Sequence, residues 1–152
     1  MKHLILWRHA LAEYVAGKDD SLRELTDEGR IDAGCAASGL KNLVAGKSSL
    51  IVSSPKIRAR DTANYLKAAV PDIELKLDEA VCDGDIKALV SKYGGSCDWL
   101  IVVGHEPDLS CWHYDLTDKR VQFLDKAGAT LYEMQGGHWN FIWRKGVSEL
   151  AQ

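Results

Sequence analysis

Long apolar runs are missing from this 152-residue chain. The most hydrophobic run, Trp99-Leu100-Ile101-Val102-Val103, falls far short of the roughly 20 residues that a membrane span needs, so no membrane partner is expected. The first run, Leu4-Ile5-Leu6-Trp7, is too short for the apolar part of a signal peptide, and Arg8 interrupts it. A cytoplasmic location is the resulting expectation. Cysteine is scarce and unpatterned. Cys35, Cys82, Cys97 and Cys111 form no C-x-x-C pair and no zinc-finger spacing. They read as reduced, mostly buried thiols. His105 and His113 lack a third ligand at a useful spacing, so neither a metal nor a cofactor is expected. An excess of charge is absent too: the formal net charge of −3 argues against a nucleic-acid partner. There is no internal repeat, linker or low-complexity segment, and the expectation is one domain over residues 1–152.

What is present is an alternation of short strands and helices. Leu4–Trp7, Ser49–Ser53 and Trp99–Val103 are short, largely apolar runs of a length that suits strands buried on both faces. Ile73–Leu77 alternates apolar and polar residues, as a half-buried strand does. Between them, Thr26 caps a helix whose first turn holds Asp27 and Glu28, and Pro55 opens a second helix running to about Ala69. The first helix carries Gly29, Gly34 and Gly39, which lower its propensity but permit close packing. Its apolar positions include Ile31, Ala33, Cys35, Ala36, Leu40 and Leu43. Asp85–Tyr93 reads as a short helix, and Asp108 as the cap of another reaching about Leu116. Val121–Phe123 is a possible strand. Ala129–Met134 and Trp139–Arg144 flank Gln135-Gly136-Gly137-His138, a hairpin signal. The fold class is α/β, a three-layer sandwich with a mostly parallel central sheet between helices, ending in a hairpin.

Parallel sheets place ligand sites past the carboxyl ends of their strands. There the first strand presents Arg8 and His9. The second presents Ser53 and Ser54, with Arg58 and Arg60 just inside the following helix. The central strand presents Gly104, His105 and Glu106. Two histidines with arginines suit a phosphoryl group: guanidinium pairs phosphate oxygens bidentately and keeps its charge, and a helix start adds free N–H groups. A histidine in such surroundings can take a phosphoryl group onto a ring nitrogen. A second, protonated histidine could then stabilise the charge on the oxygens. Which nitrogen of His9 attacks depends on a hydrogen bond that the sequence does not specify. Arg60 reads as a solvated residue or a partner of Asp61 or Asn64. His3, His113 and His138 read as surface or hairpin residues.

Leu6-Trp7-Arg8-His9-Ala10, Val52-Ser53-Ser54-Pro55-Lys56-Ile57-Arg58-Ala59 with Asp61-Thr62-Ala63, and Val102-Val103-Gly104-His105-Glu106-Pro107-Asp108-Leu109 together resemble the histidine phosphatase superfamily. Within it the chain is most similar to the short SixA-type phosphohistidine phosphatases, a likeness extended by Asp20–Gly29 and by Phe123–Ala129. The resemblance implies a phosphoglycerate mutase-like fold, His9 as the phosphorylated nucleophile, Arg8 and Arg58 as phosphate ligands and His105 as the second pocket histidine. Glu79, in Leu77-Asp78-Glu79, aligns with the superfamily's acid, with Asp83 and Glu106 as rivals. Ala10 stands where many members have glycine, and Trp112-His113 where small or aliphatic helix residues are expected.

The expected activity is that of a metal-independent phosphatase passing through a phosphohistidine enzyme intermediate. The expected partner is a phosphorylated protein, such as a His-phosphotransfer domain, because the span from Ala69 to Trp99 is too short to roof the pocket. A small phosphate ester is the alternative substrate. A phosphate-recognition module without turnover is the reading from another class.

Overall fold

Strand β1, His3–Arg8, supplies the centre of the molecule: Leu4, Ile5, Leu6 and Trp7 have no solvent exposure. The computed structural model describes residues 1–152. The remaining strands are β2 (Ser49–Ser53), β3 (Glu74–Leu77), β4 (Trp99–Gly104), β5 (Ala129–Gln135) and β6 (His138–Lys145). They form one sheet in the order β3-β2-β4-β1-β5-β6. The β1–β4, β4–β2 and β2–β3 pairs are parallel, and β5 and β6 are added antiparallel. The sheet is therefore mixed: a parallel block of four extended by the hairpin.

The helices are α1 (Asp27–Val44), α2 (Ile57–Ala69), α3 (Ala80–Asp83), α4 (Ile86–Tyr93), α5 (Asp108–Thr117) and α6 (Val147–Leu150). Side chains alternate across the sheet, and this alternation divides the core in two. Ile5, Trp7, Ile51, Ile101 and Val103 pack against α1, α2 and Leu150 of α6. Leu4, Leu6, Val52, Leu100 and Val102 pack against α3, α4 and α5 through Val81, Ile86, Leu89, Leu109 and Trp112. This is the expected three-layer sandwich.

Several local expectations change. In α1 the face turned to the core is Gly29, Ala33, Ala36, Ala37, Leu40 and Val44, while Ile31 and Cys35 face solvent. Small residues line that face because α1 lies close to its neighbours: a Cβ on Gly29 would stand 2.1 Å from the Leu11 carbonyl oxygen, and one on Gly39 1.8 Å from that of Leu150. Val121–Phe123 is not a strand; its Gln122 and Phe123 carbonyls accept from the Arg144 guanidinium instead of a neighbouring strand. Asp108 does not cap α5. Glu106 does so from two residues earlier, its carboxylate accepting the Ser110 N–H at 2.9 Å. Only Cys97 of the four cysteines is buried; Cys82 is half-buried, and Cys35 and Cys111 are exposed. His113 is buried, with Nδ1 2.6 Å from the Tyr132 hydroxyl beneath the hairpin. Arg60 pairs with Asp61, as anticipated. No helix is long and apolar enough to cross a membrane.

Candidate active site

The three buried parallel strands end together. Arg8 lies in register with Gly104, the His9 N–H donates to the Gly104 carbonyl at 3.1 Å, and the Ser54 N–H donates to the Val103 carbonyl at 3.0 Å. Residues 9, 54 and 105 are thus fixed side by side at the carboxyl edge of the sheet. Gly104 fits there because a side chain would press on Val81 and Leu109. Helix α2 starts three residues after Ser54 and brings Arg58 in its first turn. Arg8, His9, Arg58 and His105, gathered from three segments of the sequence, share this edge; the last three are each less than a tenth exposed.

The two imidazole rings face each other at 5.1 Å between centroids, tilted by 53°. His9 Nδ1 lies 2.7 Å from the Ala10 carbonyl oxygen. A carbonyl only accepts, so Nδ1 carries the proton and Nε2 holds the free lone pair. Ala10 is itself held through its N–H, which donates to Thr62 Oγ1 at 3.0 Å, and that hydroxyl donates to the Arg58 carbonyl at 2.7 Å. Burial, reinforced by His105, Arg58 and Arg8, pushes the His9 pKa down to about 3. The ring is neutral at physiological pH. Burial, with Arg58 and Lys56 nearby, likewise lowers His105 to about 4. Burial and these cations thus favour a neutral second histidine, where a protonated one was expected.

The arginines are held from behind. Arg8 donates from one terminal nitrogen to the Leu124 carbonyl at 2.5 Å, while its Nε has no partner. Arg58 donates to the Asp20 carbonyl at 2.7 Å and to its carboxylate at 3.1 Å, and its Nε is also free. Asp20 further accepts from Lys56 and Arg23 at 3.0 and 3.2 Å, and these partners hold its carboxyl well below the usual range. Buried donors without partners beside two histidines are equipped to receive an anion.

The candidate acids stand differently. Glu79 and Asp83 are exposed, and neither carboxylate takes part in a hydrogen bond within the protein. Glu106 accepts from Ser110 N and Oγ and from Leu124 N, so its oxygens are engaged in holding the segment that also receives Arg8. Asp108 is raised above the ordinary carboxylate range by burial and by Glu106. Three contributors were not singled out by sequence reasoning, Thr62, Asp20 and Cys82, and Ser54 was placed at its strand end without a role. Ser54 Oγ lies 2.8 Å from His105 Nε2 and 3.2 Å from Cys82 Sγ. Thr62 and Asp20 fall inside stretches quoted for the resemblance, which was their one available signal; Cys82 had none.

Cavities of about 410, 190 and 380 Å³ lie elsewhere on the surface, and Arg8, His9, Arg58 and His105 line none of them. The cavity of about 410 Å³ begins at Pro107, two residues after His105, and runs along the outer face of α5.

Comparison with known proteins gives a family and a fold. Residues 4–93, more than half of the chain, match the model of the histidine phosphatase superfamily (branch 1). A search of curated proteins gives no match. Among solved structures, the protein histidine phosphatase SixA complexed with tungstate superposes with a TM-score of 0.80 at 21% identity, over 97% of this chain and 99% of that one. A mycobacterial glucosyl-3-phosphoglycerate phosphatase with inorganic phosphate gives 0.77 at 18%, over 97% and 99%. A phosphoserine phosphatase mutant from Entamoeba histolytica in complex with phosphoserine gives 0.77 at 20%, over 99% and 100%. At these identities the likeness is one of fold.

Proposed function

The chain belongs to the histidine phosphatase superfamily, and from that premise and the geometry of its sheet edge we propose that it is a phosphatase that carries the phosphoryl group on His9 and takes it from phosphohistidine on a protein. The observation that carries the reading is the His9 ring: neutral, with Nδ1–H committed to the Ala10 carbonyl and Nε2 left free between Arg8, Arg58 and His105.

The chemistry follows in two displacements. His9 Nε2 attacks phosphorus as the bond to the substrate's ring nitrogen breaks. A phosphohistidine ring protonated at its other nitrogen departs as neutral imidazole. Water then attacks phospho-His9, the P–Nε2 bond breaks, and inorganic phosphate leaves. Such transfers depend on alignment and on stabilising charge at the three equatorial oxygens. Arg8 and Arg58 supply charge and donors, and His105 supplies a third contact. A leaving imidazole needs no carboxylic acid, which suits a site where Glu79 points into solvent and Glu106 is engaged elsewhere. The short span between α2 and β4, which holds only β3, α3, α4 and a single further turn and so builds no inserted roof, supports a substrate presented on a protein surface.

The test is phosphate release from a histidine-phosphorylated protein, from phosphoserine and from p-nitrophenyl phosphate, each with a chelator present and absent. Turnover of the phosphoprotein that survives chelator and disappears in His9→Ala is the expected result. Efficient turnover of the esters with none of the phosphoprotein would replace the substrate assignment with a small-molecule phosphomonoesterase. Retained activity in His9→Ala would overturn the nucleophile. Stable binding of the phosphoprotein without release would make the chain a recognition module.

A further inference from the structure

A line of polar atoms leads away from His105 to the far side of the site. His105 Nε2 is 2.8 Å from Ser54 Oγ, which is 3.2 Å from Cys82 Sγ and accepts the Lys56 N–H at 3.2 Å. Ser54 has no solvent exposure. The other ring nitrogen of His105, Nδ1, is buried and has no partner within the protein. The ring of His9 lies across from it.

Counting protons separates two arrangements. A serine hydroxyl has one proton to give, and a neutral imidazole has one N–H. With the ring proton on Nε2, His105 donates to Ser54, Ser54 donates to Cys82, and Nδ1 keeps a bare lone pair. That lone pair would oppose a phosphoryl oxygen. With the ring proton on Nδ1, Ser54 gives its proton to Nε2, the Cys82 thiol donates to Ser54 Oγ, and Nδ1–H is free to donate to a phosphoryl oxygen. Only the second arrangement equips the ring for an anion.

Resting on the phosphatase reading, we propose that Ser54 is a positioning residue that sets the proton of His105 on Nδ1, and that Cys82, by switching between donor and acceptor, lets the same ring take a second proton. When a phosphoryl dianion enters, a proton from solvent settles on Nε2. Nε2–H then donates to Ser54, whose hydroxyl turns to the Cys82 sulfur. No bond to phosphorus changes in this step. The groups facing the ring set its balance: His9 just after β1, Lys56 just before α2 and Arg58 within it, and Arg23 and Asp20 from the segment before α1. The cations oppose the second proton, Asp20 favours it, and the arriving dianion shifts the balance towards it.

Long-range 1H–15N spectra of histidine-labelled protein at about pH 7.5 read the tautomer directly, with His105→Gln assigning the signals. In the wild type, His105 should show a protonated Nδ1 and a bare Nε2. Ser54→Ala should move the proton to Nε2 or mix the two forms. It should also slow phosphate release by about 10- to 100-fold, less than the roughly 10²–10³ lost with a direct donor. Cys82→Ala should keep the Nδ1–H form but lower the pH at which His105 titrates in protein saturated with inorganic phosphate. A wild-type ring protonated on Nε2 overturns the proposal, and does so even if Ser54→Ala fails to fold. An unchanged tautomer in folded Ser54→Ala overturns it as well, and an unchanged titration in Cys82→Ala removes the cysteine from it. The Nδ1–H tautomer in a wild type without phosphatase activity would support the positioning and defeat the function reading instead.

Discussion

At the level of single residues, the site is a set of local strand-end motifs tied together by distant hydroxyls and carboxylates. Thr62 is the clearest tie, since its hydroxyl accepts the Ala10 N–H and donates to the Arg58 carbonyl. Thr62→Val keeps the shape but leaves a buried N–H without a partner, a loss of about 1–3 kcal/mol. Urea unfolding should show that loss. Phosphate release should also fall, because Ala10, whose carbonyl fixes the His9 tautomer, is no longer held at its N–H; an unchanged rate would show that the hydroxyl is dispensable. Glu79→Gln is expected to leave phosphohistidine turnover within about twofold, because the carboxylate lies in solvent and the leaving group needs no acid. A large loss would place Glu79 in the proton path after all. Arg8, His9, Arg58 and His105 were legible because each follows a strand or opens a helix within a few residues, where motif and position coincide. Thr62, Asp20 and Cys82 were not, and Ser54 was legible in place but not in role. Their partners lie 52, 38, 28 and 51 residues away in the chain, and only folding brings those atoms together. His113 was misread for the same reason: its partner Tyr132 comes from the hairpin that covers it.

Among the elements, close packing outweighs propensity. Gly39 sits inside α1, where alanine is the better helix former by about 1 kcal/mol. Its Cβ, however, would lie 1.8 Å from the carbonyl oxygen of Leu150 in α6. That atom is backbone and cannot rotate away, so α6 must shift, and such overpacking costs about 1–3 kcal/mol. Gly39→Ala should therefore lower the denaturation midpoint and speed amide exchange in α6; a more stable variant would show that α6 relocates at little cost. Periodicity located β1, β2, β4, α1 and both hairpin strands, since each is long or strongly patterned. It could not show that β5 pairs antiparallel with β1 and so continues the sheet, because strand order is decided by long-range pairing. It failed at Val121–Phe123, where three strand-like residues meet an arginine rather than a partner strand. It missed α3, a single turn with too few residues to display a period.

For the molecule as a whole, burial of neutral histidines couples the site to stability. His9, His105 and His113 are all lowered from the ordinary value of 6.5, each chiefly by burial. The unfolded chain takes up protons at these rings as pH falls through about 6.5, whereas the folded chain does not take one at His9 until about 3 or at His105 until about 4. Across that window the unfolded state binds more protons, so stability rises with pH and is lost on acidification. Asp20 and Asp78, held low by their cationic and hydroxyl partners, add to the loss once pH drops below their ordinary value of 3.8. Asp108, shifted upward, opposes it. Each histidine can contribute at most about 1.4 kcal/mol per pH unit to the slope. Urea unfolding between about pH 7 and pH 4.5 should therefore show a steady decline, and His9→Ala should flatten it by up to one such contribution. Inorganic phosphate should stabilise the wild type, because an anion that binds only the folded edge shifts the equilibrium by mass action. A slope unchanged by His9→Ala would mean that the ring titrates normally in the folded state, and the neutral, preorganised nucleophile on which the phosphatase reading rests would fall with it.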